Sequence, residues 1–554
     1  MPLRQRQEIQ EVLRCQGMSS DSRTVLVDRR PRGFQGRGDK YLGELALGLR
    51  RVLWKTQQGF IYPTCRLTEH ACSEIAMLLV EWAEDIHNGI GLWRTVETHQ
   101  RQCFGTPLPL IVRAAQKDEL RGFDPRRIQY VLWNLWPCYN PELVLSPTHA
   151  ELRRLAEAAS HFLAERLSRV PQDSGVKQFL ATSNQYGWDI KRKLVWLGTG
   201  SYLFRVLFCE YLDDQSQKPG VATTDDFICQ RCTLWSGLGV IDVLAGTLDL
   251  TEAERDTLRT WYERHTSFYR VLTRQEESGE VKCITARNVV NGQPYTIRMN
   301  MDLAACPFKP GMVVFGALTP WRGEWYWSGE QKTWTDLPET EESKLRKETI
   351  ERSSAIVYRY CPAEAAKARE FTDEQLTRFV AYYGDDLVTF PDGLVLAAAE
   401  QRRMESEWRA ADAEKVAETM RVHGLEHPRP RMTFPPDFLN HDQGIGAFFN
   451  PKEGVEFMLG FNHVLSALSK RGVGLNEDES RALQGLVTSA AISPAFVRRL
   501  VADSGAESIA ETFLMRDDPP DLAFEFLLRR HKGHFYRKRY PTLSLRRGDA
   551  SKTL

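Results

Sequence analysis

Between Tyr41 and about Glu210, apolar residues recur at three- and four-residue steps: Leu42, Leu45, Leu49 and Leu53 in one run, Ile75, Leu79, Trp82 and Ile86 in another. That period places them on one face of a helix and predicts an all-α domain over 41–212. Ser146-Pro-Thr148-His-Ala-Glu151 predicts a helix start, with Thr148 as cap and Glu151 returning a bond to the cap's amide. Trp133, Trp136, Trp188 and Trp196 lie among apolar neighbours and are expected in its core. A unit over 220–335 follows the polar loop DDQSQKPGVATTDD, with a helix begun by a capping box from Thr251 to Glu254. The period then falls to two. Val281-Lys-Cys283-Ile-Thr285 and Tyr295-Thr-Ile297-Arg-Met299 alternate on either side of Asn291-Gly292, a hairpin signal. A Pro-Gly turn feeds a strand after Phe308, and Pro320-Trp-Arg-Gly-Glu-Trp-Tyr-Trp gives a turn and an aromatic strand. This spacing of short strands predicts a small antiparallel β-barrel, SH3-like or OB-like.

Beyond it, TDLPETEESKLRKE reads as a linker into a helical region over 346–425. Its last helix, AAAEQRRMESEWRAADAEKVAETMR, is charged nearly all round, which suits a strut or a partner for another helix. The stretch 426–447 has four prolines and predicts a linker before a second α-helical domain over 448–530. In that domain Asn476 and Ser493-Pro494 mark helix starts. The ends are a basic N-terminal segment, 1–40, and a basic aromatic tail, 531–554. The expected fold class is therefore α+β, mostly α, with two helical domains flanking the small barrel.

The 554 residues include 73 Lys plus Arg and 73 Asp plus Glu, so no overall field holds the chain on a polyanion. A globally basic nucleic-acid binder is excluded, but a local patch is not. The eleven scattered cysteines form no dense, even-numbered disulfide framework and point to a reducing compartment. The first residues lack the apolar core of a secretory signal. The longest apolar runs, such as Ala76–Val80, fall far short of the ~18 residues of a membrane span. A cytoplasmic protein without membrane contact is expected.

Candidate chemistry is sparse, and no catalytic signature occurs. Gly36-Arg-Gly38 and Gly237-Leu-Gly239 lack the third glycine of a dinucleotide loop, and His441-Asp442 stands without companion ligands. Glu81, Glu84 and His87 crowd one predicted helix, and Glu84 and His87 are spaced as in carboxylate-bridged metal sites. The plainer reading is a polar face ending at the Asn88-Gly89 helix stop. Cys229 and Cys232 have the spacing of half a zinc site, or are buried thiols. Zinc is the one metal so suggested; no cofactor is expected otherwise. The tail is the richest feature. Arg529, Arg530, Lys532, Arg537, Lys538 and Arg539 surround Tyr536 and Tyr540. Such a segment binds phosphates and stacks on bases, docks on its own molecule, or stays solvated. The barrel aromatics Trp321, Trp325, Tyr326 and Trp327 divide by alternation between two faces, one core and one open to a ligand. The segment DRRPRGFQGRGDK reads as a solvated arm or a phosphate-touching one.

DKYLGELA, EDIHNGIGLWR, DDFICQRCTLWSGLG, GEWYWSGEQ and LLRRHKGHFYRKRYPTLSL carry a resemblance to an uncharacterised bacterial family, a domain of unknown function, over nearly the whole chain. The resemblance implies a bacterial origin and brings no activity with it. The expected function is a non-catalytic binding protein that contacts nucleic acid or a ribonucleoprotein through barrel and tail. The alternatives are a protein-interaction scaffold or regulatory subunit of a bacterial, defence-related complex, and a metal-dependent hydrolase.

Overall fold

The computed structural model describes residues 26–111, 120–140, 145–166, 169–214, 216–230, 237–335, 337–352, 362–423, 432–502 and 505–537. It divides into two compact units, 1–357 with 544–554, and 358–543.

In the first unit the helical pattern folds as helices. They are α1 (Asp39–Gln57), α2 (Glu69–Asn88), α3 (Leu92–Phe104), α4 (Pro125–Tyr139), α5 (Ala150–Ala164), α6 (Gly175–Leu180), α7 (Gly187–Gly200), α8 (Arg205–Asp214), α9 (Val221–Gln230), α10 (Val240–Thr247) and α11 (Glu252–Arg259). The α1 leucines 42, 45, 49 and 53 are all buried, and α1 packs on α2 and α5. Gly48 permits that approach: a Cβ there would lie 2.6 Å from the Phe162 ring. Helix α2 begins at Thr68, whose hydroxyl accepts from Ala71 N, and stops at Gly89, whose φ of +61° suits glycine. Helix α5 starts differently from expectation. Its cap is His149, which accepts from Glu151 N, while Thr148 pairs with the Ser146 hydroxyl. The Glu151 carboxylate instead accepts from Ile61 N at 2.7 Å.

The alternating segment forms five strands: β1 (His265–Glu277), β2 (Glu280–Asn288), β3 (Pro294–Asp302), β4 (Val313–Trp321) and β5 (Glu324–Trp334). Their order is β1-β2-β3-β5-β4, and β4 pairs back with β1. The long β1 serves two neighbours: 265–270 pair with β4, and 269–277 with β2. The sheet is mixed rather than antiparallel throughout, because β3 meets β5 in parallel at Ile297 and Trp325. Asn291-Gly292 lies in the β2–β3 turn as expected, with Gly292 at φ +76°. Helices and sheet are continuous. The Trp321 indole donates to Asn184 O at 2.8 Å, and the Trp261 indole to Pro320 O at 2.7 Å.

The second unit contains strands that helical patterning did not predict. They are β6 (Leu387–Phe390), β7 (Ile445–Asn450) and β8 (Gly454–Leu459), paired antiparallel in that order. Every residue of β7 is buried, so it shows no alternation and passes for part of a buried helix. Because β6 and β7 pair, Pro435 and Pro436 lie between strands of one sheet rather than between two domains, and the last residues of the expected linker, Ile445–Ala447, are part of β7 itself. Around the sheet stand α12 (Pro362–Tyr383), α13 (Gly393–Ala410), α14 (Phe461–Ser469), α15 (Glu477–Thr488), α16 (Pro494–Val501), α17 (Ala506–Thr512) and α18 (Pro520–His531). The charged helix ends at Ala410, and its Glu400 is fully buried. There Glu400 accepts from the Tyr383 hydroxyl at 2.7 Å and from Arg403 at 2.7 Å. Its polar stripe thus contributes to packing within this unit.

Candidate functional site

The basic C-terminal residues are largely engaged within their own unit. Arg529 pairs with Glu525 at 2.9 Å and lies over the Tyr536 ring at 4.4 Å. The Tyr536 hydroxyl accepts from Arg498 at 2.8 Å, and burial pushes its phenol up to about 12. Arg530 is buried. Lys532 is fully buried and donates to Ser489 O at 2.7 Å and Ile492 O at 2.6 Å. Burial lowers its ammonium to about 7, against the pull of Glu456. The docked reading therefore describes Arg529, Arg530, Lys532 and Tyr536, and corrects the picture of a free tail that begins at residue 531. Arg537 is half-buried, whereas Lys538, Arg539 and Tyr540 lie outside the described residues.

The sheet aromatics also pack inward or against helices. Trp325 sits 4.6 Å from the His265 ring and 4.8 Å from the Tyr295 ring, and Trp327 stacks on Phe308 at 5.7 Å. These two half-buried rings face the inside of the sheet. Tyr326 faces the other way, yet it is buried too, because α7 begins directly upon it: a Cβ at Gly187 would lie 2.5 Å from its ring. Trp321 is fully buried beside Trp261. The side of the sheet that alternation left available is occupied by helices, α7 and α9 on β5 and α11 on β4.

The metal candidates meet arginines. Glu84 pairs with Arg30 at 2.6 Å and accepts from the Ser174 hydroxyl at 2.7 Å. Arg30 turns its other nitrogens to Asp39, at 2.8 and 3.0 Å. Glu81 accepts from Arg205 at 3.0 and 3.2 Å, and Arg29 pairs with Glu74 at 2.9 Å. Burial raises the Glu84 carboxyl, although Arg30 opposes it. His87 is half-buried and meets Gln172 instead of Glu84. Cys229 is buried with its thiol directed to Trp261 O at 3.4 Å, and Cys232 lies outside the described residues. Among the described residues, no group of three or more His, Cys, Asp or Glu side chains is placed to hold a metal. A cavity of about 20 Å³ lies among Arg29, Arg30, Glu81, Glu84 and Tyr202, space for about one water. The arm 26–38 is accordingly no free phosphate-binding segment where Arg29 and Arg30 stand: both are spent on carboxylates of α2.

Residues 55–219, which contain this network's acidic helix, match the family model described as a protein of unknown function (DUF3843). The chain is similar to that uncharacterised family over this stretch. Of the five sequence stretches that carry the wider resemblance, EDIHNGIGLWR falls inside it. No curated protein and no solved structure matches the chain. In the described residues no helix is long and apolar enough to cross a membrane.

The side of β2 and β3 that faces away from the sheet's interior carries polar and cationic groups. On β2, Cys283, Thr285 and Arg287 alternate with buried Ile284 and Ala286. In register across from them stand Arg298, Thr296 and Pro294 of β3. Arg287 and Thr296 are exposed. Beside this face stands an aromatic ledge. Trp188 is 38% exposed and packs on Tyr186 at 4.6 Å, while Arg298 lies 5.9 Å from the Tyr186 ring. Arg298 also donates to Glu324 at 3.2 Å and to Asn300 at 2.9 Å. Trp188 was expected in the core, and its position signals otherwise. The buried face of α7 is Ile190, Leu194 and Leu197, and residue 188 lies about 200° around the helix from Ile190.

Proposed function

We propose that the protein is a non-catalytic binding protein that engages single-stranded nucleic acid across the β2–β3 face of an OB-like barrel. The observation that carries this reading is the strand order β1-β2-β3-β5-β4 with β4 returning to β1, and a long β1 shared between two partners. In OB-fold barrels the face of the second and third strands binds oligonucleotides. Here that face presents Arg287 and Arg298, with Trp188 and Tyr186 alongside for stacking. Cations that track the backbone and rings that take bases are the two ingredients of single-strand binding.

The test is fluorescence anisotropy of a labelled oligothymidylate with the full chain across a salt series. Binding should weaken with salt, and Arg287→Ala should reduce the log–log slope by about 0.7, the value of one single-strand phosphate contact. Absence of binding at low salt, or a slope untouched by Arg287→Ala, would overturn the reading. A second reading, a protein-interaction scaffold, rests on α12. Its Phe371 and Tyr382 are 56% and 42% exposed and lie about three turns apart on one side of the helix.

A further inference from the structure

The α1 helix and the loop that leaves it carry large apolar side chains in the open. Trp54 is 41% exposed, Ile61 76% and Tyr62 57%. The loop is nevertheless tightly held. Gln57 clasps Leu67 in both directions, donating to its carbonyl at 2.9 Å and accepting from its amide at 2.8 Å. Arg154 donates to Gly59 O at 2.7 Å, Ile61 N donates to Glu151 at 2.7 Å, and Asn140 donates to Thr64 O at 3.0 Å. A loop pinned at so many points has little ordering entropy left to lose on binding. It fixes Ile61 and Tyr62 outward, where neither contributes to the core.

The surroundings are rich in cations, and the exposed acid that closes the loop, Glu69, pairs with Arg50 at 3.5 Å. Arg51 and Lys55 of α1 are exposed and make no ion pair among the described residues. Arg66 and Arg153 are exposed and donate to the backbone carbonyls of Gln58 and Thr148. An aromatic and aliphatic centre within an arginine-rich rim is the composition of a protein-binding hot spot. The charge selects the partner, because a cationic rim is complementary to carboxylates. The centre selects its class: Ile61, the most exposed of the three, has no ring to stack on a base and needs an apolar pocket.

We propose that this surface docks an acidic segment of a partner protein, with apolar side chains flanked by Asp and Glu. This surface is separate from the β2–β3 face, and the proposal stands independently of the nucleic-acid reading. The test uses the full chain and labelled synthetic peptides in which Leu and Phe alternate with Glu and Asp, beside versions with Lys in place of the acids. The acidic peptides should bind and the basic ones should not. Ile61→Asp should weaken binding tenfold or more, equivalent to about 1.4 kcal/mol, and Arg51→Glu with Lys55→Glu should do the same. Thermal melts of each variant check that the fold is retained, and Trp54→Ala with Tyr62→Ala gives a charge-neutral second probe. Arg287→Ala should leave peptide binding unchanged, which separates this surface from the sheet face. Equal binding of acidic and basic peptides would overturn the proposal. So would an Ile61→Asp affinity within twofold of the parent, or oligothymidylate binding that Ile61→Asp abolishes.

Discussion

Arg30 should be among the most consequential side chains of the first unit, and its replacement by Met tests the account of the α2 network. The guanidinium is 4% exposed and the Glu84 carboxylate 3%, at 2.6 Å; a second acid, Asp39, depends on the same group at 2.8 Å. Although burial works against its charge, Glu84 and Asp39 hold Arg30 above its ordinary value. Removing one partner of such a pair leaves a buried charge uncompensated, at a cost of about 3–5 kcal/mol. With a urea m-value on the order of 3 kcal/mol/M, the midpoint should fall by about 1–2 M. Arg30→Met combined with Glu84→Leu should recover only part of that loss, since apolar groups replace one pair while Asp39 keeps a buried charge without its cation. The pH dependence has a definite sign. Without Arg30, burial acts on Glu84 with the Ser174 hydroxyl left to oppose it, and its native carboxyl rises further above the unfolded value of about 4.3. The native state then holds a proton that the unfolded chain releases, so the variant loses stability as pH rises through that interval. Its deficit should be smaller at pH 5 than at pH 8. A loss below about 1 kcal/mol, or a double variant that costs the sum of the two singles, would refute the reasoning.

Lys532 offers an independent titration in the second unit. Its native value of about 7 lies below the ordinary lysine value, so the native state binds fewer protons than the unfolded chain between about pH 7 and 10.4, and stability should rise across that window. Lys532→Met should flatten this rise in urea melts, and an unchanged slope would show that Lys532 is not its source. The same variant strands the carbonyls of Ser489 and Ile492, which should cost about 1–3 kcal/mol for each one left unsatisfied. Gly48→Ala should destabilise the first unit by about 1–3 kcal/mol through overpacking on Phe162; Gly48→Ala with Phe162→Leu should recover part of it in thermal melts. Trp188→Ala should weaken oligothymidylate binding by about 1–3 kcal/mol, one stacked base, and lower the melting temperature modestly because the ring packs on Tyr186 and Tyr326.

Local physics was legible in the sequence wherever a period or a cap decided the outcome. The leucine steps of α1, the Gly89 stop, the Thr251–Glu254 box, the Asn476 and Ser493 caps and the Asn291-Gly292 turn are all read from neighbours within a few residues. Those signals act through bonds and faces a few residues apart, and they depend little on the rest of the fold. Distant partners were not legible. The chain shows Arg30 in a basic arm and Glu84 in a metal-like spacing; only the fold brings them to 2.6 Å and turns both into structure. Lys532 and Tyr536 look like a phosphate-binding tail until the fold buries Lys532 and turns Tyr536 to Arg498. Trp325 and Trp327 were correctly placed opposite Tyr326 by alternation, but α7 covers the remaining side. The pairing of β6 with β7 across the prolines belongs to the same class, because a fully buried strand has no polar face to announce it. Read alone, the chain announces most of the helices and the strands of the first sheet, but not β6, β7 and β8. The tertiary structure alone decided which charged and aromatic side chains are consumed by the fold and which, like Trp188, Arg287 and Ile61, are left for a partner. Burial of a charge depends on a partner that arrives from elsewhere in the chain, and no local pattern encodes it.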